Sequence, residues 1–187
     1  GLGDVYKRQS KICRCFDCRQ VLYEESMFDG QKVSKSRIIT SVDYSMVSME
    51  AFEIYAANHD IHVMDFVLKL DAYTYYMMNL LDYLIGNTDR HWGNWGFLVD
   101  NRTNQPVRLF DLMDLNQTFL AYDTPDGANC MTTGNRKMSQ REAAVEAVKK
   151  IGLNQRAEIK DEWFKGREKE REMFWCRFGI LKEQWKA

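Results

Sequence analysis

The sequence predicts an α+β fold, mainly helical, in which a β-hairpin and a linking segment precede a larger helical body. Three observations carry this expectation. Strand-like runs flank an Asp29-Gly30 pair, apolar residues recur at helical spacing between Leu70 and Leu84, and two short strand-like runs enclose a polar turn between helical segments.

Val21-Leu22-Tyr23 and Val33 to Ile39 are expected to pair antiparallel, because Asp-Gly favours the tight turns that join hairpin strands. Ser41, Val42 and Asp43 offer N-caps for a helix running to about Asn58, with Val47, Ala51, Ile54 and Tyr55 on its apolar face. The next helix is expected from Val67 or Leu70 to Ile85. Leu70, Tyr73, Met77, Leu80, Leu81 and Leu84 form its stripe, and Gly86 supplies a left-handed C-terminal cap. Gly96 to Val99 and Val107 to Phe110 are the two short strands. Residues 120–138 are irregular and rich in Asp, Gly, Asn and Thr. Ser139-Gln140-Arg141-Glu142 is a capping box opening a helix to Lys150 or Ile151, ended by Gly152, and two more helices are expected over roughly 154–165 and 167–185.

Bulk properties narrow the function classes. The 187 residues suit one domain or slightly more, and 45% hydrophobic with 13% aromatic residues is ample for a core. A formal charge of −1 gives no electrostatic reason to expect nucleic acid or an anionic membrane as partner. No apolar run approaches the roughly 18 residues of a membrane span, and no signal-peptide layout opens the chain, so a cytoplasmic location is expected. Cys13, Cys15 and Cys18 cluster, but a closed zinc site wants four ligands in two pairs, and Cys130 and Cys176 are isolated. Reduced thiols are the expectation.

Residues 1–9, GLGDVYKRQ, stand apart. Asp4 to Gln9 is what GAT GTG TAT AAG AGA CAG encodes, the end of a transposon-based sequencing adapter. The chain is therefore expected to begin mid-domain: residues 10–40 would be the remnant of a first lobe and its hinge, and 41–187 a helical second lobe.

The chemistry concentrates in residues 85–97, IGNTDRHWGNWGF. Asp89 is followed five positions later by Asn94, just after a buried helix and just before a strand pair that ends in Asp111 and Asp114. That layout suits phosphoryl transfer: one aspartate accepts the proton of an attacking hydroxyl, an asparagine offers a neutral oxygen to magnesium, and a second aspartate holds metal against ATP phosphates. Alone, Asp89 would fit equally well as a cap for the turn after Gly86; the longer G-x-x-D-R-H-x-x-N with its flanking elements is far less common by chance. Arg90 and His91 are expected to brace the loop or contact phosphates, and Trp92 and Trp95 to pack. Between the two metal candidates, Asp114-Leu115-Asn116 places Asn where a left-handed backbone is needed, whereas Asp111-Leu112-Met113 would place Met there. Asp114 is the favoured ligand, with Asp111 sharing the site or bracing a backbone.

IGNTDRHWGNWGF followed by LFDLMDLNQTF resembles the C-terminal kinase domain of the HipA-like serine/threonine kinases, in the form found in gut Firmicutes. The likeness covers roughly residues 19–155 and is strongest from 80 to 120. It implies a protein-kinase-like fold, here a mainly helical C-lobe with a remnant N-lobe β-hairpin, a catalytic loop at 86–95 and a metal-binding segment at 107–119. It further implies a bacterial ATP- and magnesium-dependent phosphotransferase of toxin–antitoxin type. Asp89 would be the base, Asn94 and Asp114 would bind the cofactor and its metal, a protein Ser/Thr hydroxyl would be the substrate, and an antitoxin would be a partner. DRHxxN also resembles the catalytic loop of phosphoinositide kinases, so a lipid or small-molecule kinase is an alternative. A pseudokinase or interaction module is another. No glycine-rich phosphate loop and no N-lobe Lys–Glu pair can be placed, so this chain by itself is expected to bind ATP poorly and to be inactive.

Overall fold

The computed structural model describes residues 10–115, 118–120, 122–133 and 137–186. The adapter-like segment 1–9 and Asn116 lie outside the described residues. A hairpin, β1 (Tyr23–Phe28) and β2 (Gln31–Ser36), stands apart from a three-stranded antiparallel sheet, β3 (Tyr44–Ser48), β4 (Gly96–Asp100) and β5 (Gln105–Leu109), in the order β3-β4-β5. A helical turn at residues 10–13 opens the described chain, and helices α1 (Met49–Asn58), α2 (Val63–Ile85), α3 (Gln140–Ile151) and α4 (Glu168–Lys186) build the body.

The hairpin turn is the expected one. Asp29 and Gly30 both have positive φ, 49° and 72°, and Phe28 pairs with Gln31 across them. Its ladder pairs with no other strand, and Met27 and Phe28 are exposed.

The segment 44–48 differs from expectation. Tyr-Ser-Met-Val-Ser forms β3 rather than the start of a helix, because its backbone pairs with β4 from Tyr44↔Asp100 to Ser48↔Gly96. Ser41 does cap, but a turn: its Oγ accepts from the amides of Asp43 and Tyr44 at 3.1 and 3.2 Å. The cap of α1 is Ser48, whose Oγ accepts from Ala51 N at 3.2 Å. The later start turns the helix over. Met49, Phe52 and Ala56 are buried, while Ile54 and Tyr55 face solvent.

Helix α2 is the axis of the core, with Met77, Leu80, Leu81, Tyr83, Leu84 and Ile85 fully enclosed. It is broken at Asp71, whose φ and ψ of −155° and 63° are not helical. The Asp71 carboxylate explains the break. It accepts from Thr74 N at 3.2 Å, capping the second half of the helix, and from Leu109 N at 3.1 Å and Arg19 at 2.7 Å. The break thus ties the end of β5 and the segment leading to the hairpin to one point on the helix. Gly86 ends α2 with φ 61° and ψ 42°, the expected left-handed cap.

Residues 154–165, expected to be helical, hold only one 3-10 turn at Asp161–Phe164. Their backbone donors are used elsewhere: Arg156 N and Ala157 N both bond Cys15 O, at 2.7 and 3.2 Å, and Phe16 bridges Gln155. Ile12, Cys13, Cys15 and Phe16 accordingly sit in the same core as the helices. Helix α3 has its capping box, with Ser139 and Glu142 bonded reciprocally. Helix α4 closes the fold through Arg177, which donates to Tyr83 O at 2.7 Å and Thr124 O at 2.9 Å and stacks on the rings of Tyr83 and Tyr122.

Candidate active site

The loop after α2 is organised from below. Arg90 and Asp82 form a buried bidentate pair, with Nε to Oδ2 at 2.8 Å and Nη2 to Oδ1 at 3.1 Å, both side chains about 5% exposed or less. Burial opposes the charge on Arg90, but the Asp82 carboxylate and its hydrogen bonds outweigh that and hold the guanidinium above its ordinary pKa. The remaining Arg90 nitrogen, Nη1, donates to Asn94 O at 2.8 Å and to Met113 O at 2.7 Å. One side chain therefore fixes the end of α2, the loop at Asn94, and the residue just before Asp114. Asn87, fully buried, donates to Asp82 Oδ1 at 2.9 Å and accepts from Asp89 N at 3.3 Å.

Above this floor lie the sequence candidates. Asn94 Nδ2 donates to the Asp89 carbonyl at 2.7 Å and to its Oδ2 at 3.3 Å. With its nitrogen engaged, the amide leaves its oxygen as the atom available to a cation. Asp89 is more than a third exposed, and His91 Nε2 lies 3.8 Å from its Oδ1, beyond hydrogen-bond range. His91 Nδ1 accepts from Gly93 N at 3.0 Å, so the neutral ring carries its proton on Nε2, toward Asp89. Trp95 is buried, and Trp92, besides packing, donates its Nε1 to Met131 O at 3.0 Å.

The two acidic candidates differ in environment. Asp111 accepts from Arg108 Nη1 at 2.6 Å in a largely buried ion pair, so its charge is already matched. Asp114 has, among the described residues, no hydrogen-bond or ion-pair partner for its carboxylate, and its φ is +54°. Left-handed backbone in a non-glycine residue is uncommon and concentrates at turns and functional sites. The sequence pattern expects that conformation two residues later, at Asn116, which lies outside the described residues; Asp114 itself adopts it.

The structure thus brings Asp89 and Asn94 into contact and ties the Asp114 segment to the same loop through Arg90. Sequence reasoning missed Asp82, Asn87 and Gln140 as parts of the site. Asp82 carried a signal: an acid inside the apolar run Leu80-Leu81-Asp82-Tyr83-Leu84 needs a buried partner. Asn87 and Gln140 carried none, being ordinary polar residues at a helix exit and a helix start.

The five cysteines are free. Burial pushes the Cys13 thiol well above its ordinary pKa and that of Cys18 to about 12, so both are protonated and unreactive at neutral pH. Among the described residues no group of three or more His, Cys, Asp or Glu is placed to hold a metal ion, and no helix is long and apolar enough to cross a membrane. A magnesium site here would instead draw on one Asn and one or two Asp oxygens.

The chain is similar in fold to the crystal structure of a Helicobacter pylori proinflammatory kinase, CtkA, with a TM-score of 0.65 at 13% identity over 97% of this chain and 81% of that one. No family model and no curated protein matches the sequence. The fold is kinase-like: α+β, with small antiparallel sheets on a helical body.

Proposed function

We propose that this chain carries the catalytic loop of an ATP- and magnesium-dependent phosphotransferase, a HipA-like serine/threonine protein kinase of toxin type acting in the cytoplasm. The observation that carries the reading is the Asn94 amide bonded to both the carbonyl and the carboxylate of Asp89, with Arg90 tying that loop to Met113, the residue before Asp114. The kinase-like fold supports it.

The residues suit the metal. Asn94 Oδ1 and the Asp114 carboxylate are hard oxygen donors of the kind magnesium takes, few in number, as expected where phosphates and waters complete its shell. When bound, Mg·ATP would supply the phosphoryl group and screen its charge. The chain's own residues do the rest. Asp89 accepts the acceptor hydroxyl's proton on its exposed carboxylate, Asn94 holds that carboxylate in place, and Arg90 keeps both loops in register from beneath. Asp111, held by Arg108, braces the strand end.

The test is phosphotransfer from labelled ATP to a protein hydroxyl. Asp89→Asn and Asp114→Asn should each lower the rate by about 10²–10⁴-fold without unfolding the protein. Wild-type rates in both variants would remove the assignment. The 187-residue chain alone should bind Mg·ATP weakly, because no phosphate-binding loop can be placed in it.

A further inference from the structure

We propose that Gln140 and Asn87 are positioning residues that couple the segment 126–133 to the backbone of Asp89, so that an acceptor seated on that segment sets the geometry of the base. The coupling is a property of the fold; its catalytic meaning rests on Asp89 being the base.

The connection is a continuous run of hydrogen bonds, fully buried at its Gln140–Asn87 step and part-buried at its two ends. Ala128 N donates to Gln140 Oε1 at 3.1 Å, and Gln140 N donates back to Ala128 O at 2.9 Å. Gln140 Nε2 then donates to Asn87 O at 2.6 Å, and Asn87 Oδ1 accepts from Asp89 N at 3.3 Å. Gln140 is 6% exposed and Asn87 fully buried, so neither amide can exchange its protein partner for bulk water without opening the structure. Backbone approach at this point demands glycine. Gly127 has φ +71°, and a Cβ there would lie 2.7 Å from Gln140 Oε1.

Two further ties hold the same segment. Trp92 Nε1 bonds Met131 O at 3.0 Å, and the buried Thr132 hydroxyl bonds Asn79 Oδ1 on α2 and lies 3.2 Å from Cys130 Sγ. Between this segment and the loop after α2 lies a small cavity of mixed lining, Asn79, Asp82, Asn87, Cys130, Thr132 and Gln140 among its walls, about the size of a single water. Burial alternates along 129–132, exposed at Asn129 and Met131 and buried at Cys130 and Thr132. One face is thus presented outward while the other is held to α2 through Thr132 and Asn79. Displacement of Ala128 by an arriving acceptor must move Gln140, and Gln140 pulls on the residue that holds the Asp89 amide.

Amide hydrogen exchange of the 187-residue chain, read residue by residue by NMR, tests this without any need for catalysis. In Gln140→Leu, exchange at Ala128 and at Asp89 should both rise on the order of fivefold, the factor that losing one hydrogen bond removes, while Phe178 in α4 is unchanged. A rise at Ala128 with Asp89 unaffected would overturn the coupling. Gln140→Glu separates the two halves. Its carboxylate still accepts from Ala128 N but cannot donate to Asn87, so Asp89 alone should lose protection, and unchanged Asp89 exchange would again overturn it. Should both variants fail to fold, the wild type decides under mild denaturant: coupled amides open with one common free energy, uncoupled ones with two. In phosphotransfer, Gln140→Leu should lower kcat and leave KM for ATP unchanged. Loss of the Asp89 assignment alone would leave the exchange results standing, and the reverse holds equally.

Discussion

Asp82 lies in the last turns of α2 and Asp89 in the loop just after its cap. Asp82 is enclosed and saturated, accepting two bonds from Arg90 and one from Asn87. Asp89 is more than a third exposed, and its carboxylate receives one bond of 3.3 Å from Asn94 and faces a His91 nitrogen at 3.8 Å. Seven residues apart, the same side chain does two jobs. The floor supplies rigidity, and the rim leaves a carboxylate open to solvent, as the base role proposed for Asp89 requires. A site that needs its base held within a fraction of an ångström puts the strong bonds on the support and leaves the reacting group loosely engaged.

Substitution should expose this asymmetry. Asp82→Ala leaves the Arg90 guanidinium buried without its counter-charge and should cost about 3–5 kcal/mol in chemical denaturation. Asp89→Ala should stay within about 0.5 kcal/mol of wild type in the same measurement, since it removes a surface group. Equal losses would erase the distinction between floor and rim. Next in size is Gly86→Ala. The left-handed φ of 61° disfavours any side chain, and the new Cβ would lie 2.4 Å from the Tyr122 ring. A loss of about 1–3 kcal/mol is expected from backbone strain, with more if the ring cannot move. A melting curve matching wild type would show that the cap does not fix the loop.

The hairpin marks the opposite extreme. Phe28→Ser on the exposed β1–β2 ladder should change global stability by less than about 0.5 kcal/mol, and its amides should exchange far faster than those of α2. Protection of the hairpin equal to that of α2 would mean that it is part of the rigid body. The smallest effect is electrostatic. Glu142 accepts from Ser139 backbone and hydroxyl, which lowers its carboxyl pKa below the ordinary value. A carboxylate depressed on folding stabilises fully above its unfolded value, about 4.3, and that contribution disappears as pH falls through the lower folded value. Ser139→Ala removes the hydroxyl bond but keeps the backbone donor, so it should move the Glu142 titration, followed by NMR, only part of the way back up; an unmoved titration would remove the Ser139 hydroxyl as a cause.

Much of this was legible in the chain because the signals were local. The Asp29-Gly30 turn, the apolar stripe ending at Gly86, the strand pair around 100–105 and the Ser139 capping box each depend on residues within a few positions of one another. Asp89 and Asn94 were found for the same reason: their contact spans five residues of one loop. What failed was settled by partners far away in sequence. Residues 44–48 read as helix until β4 arrives some fifty residues later to pair with them. Residues 154–157 lose their helix to the carbonyl of Cys15.

The sequence by itself determined the kinds of element, most of their ends, and the Asp89–Asn94 contact within one loop, because propensity, capping and spacing act over a turn or two of chain. Only the tertiary structure decided which acid is buried and which is open, that Arg108 pairs with Asp111 while Asp114 has no hydrogen bond or ion pair among the described residues, and that Gln140 reaches Asn87. Those outcomes depend on desolvation and on hydrogen-bond partners brought together across the fold, and no local pattern encodes where a buried polar group will find its match.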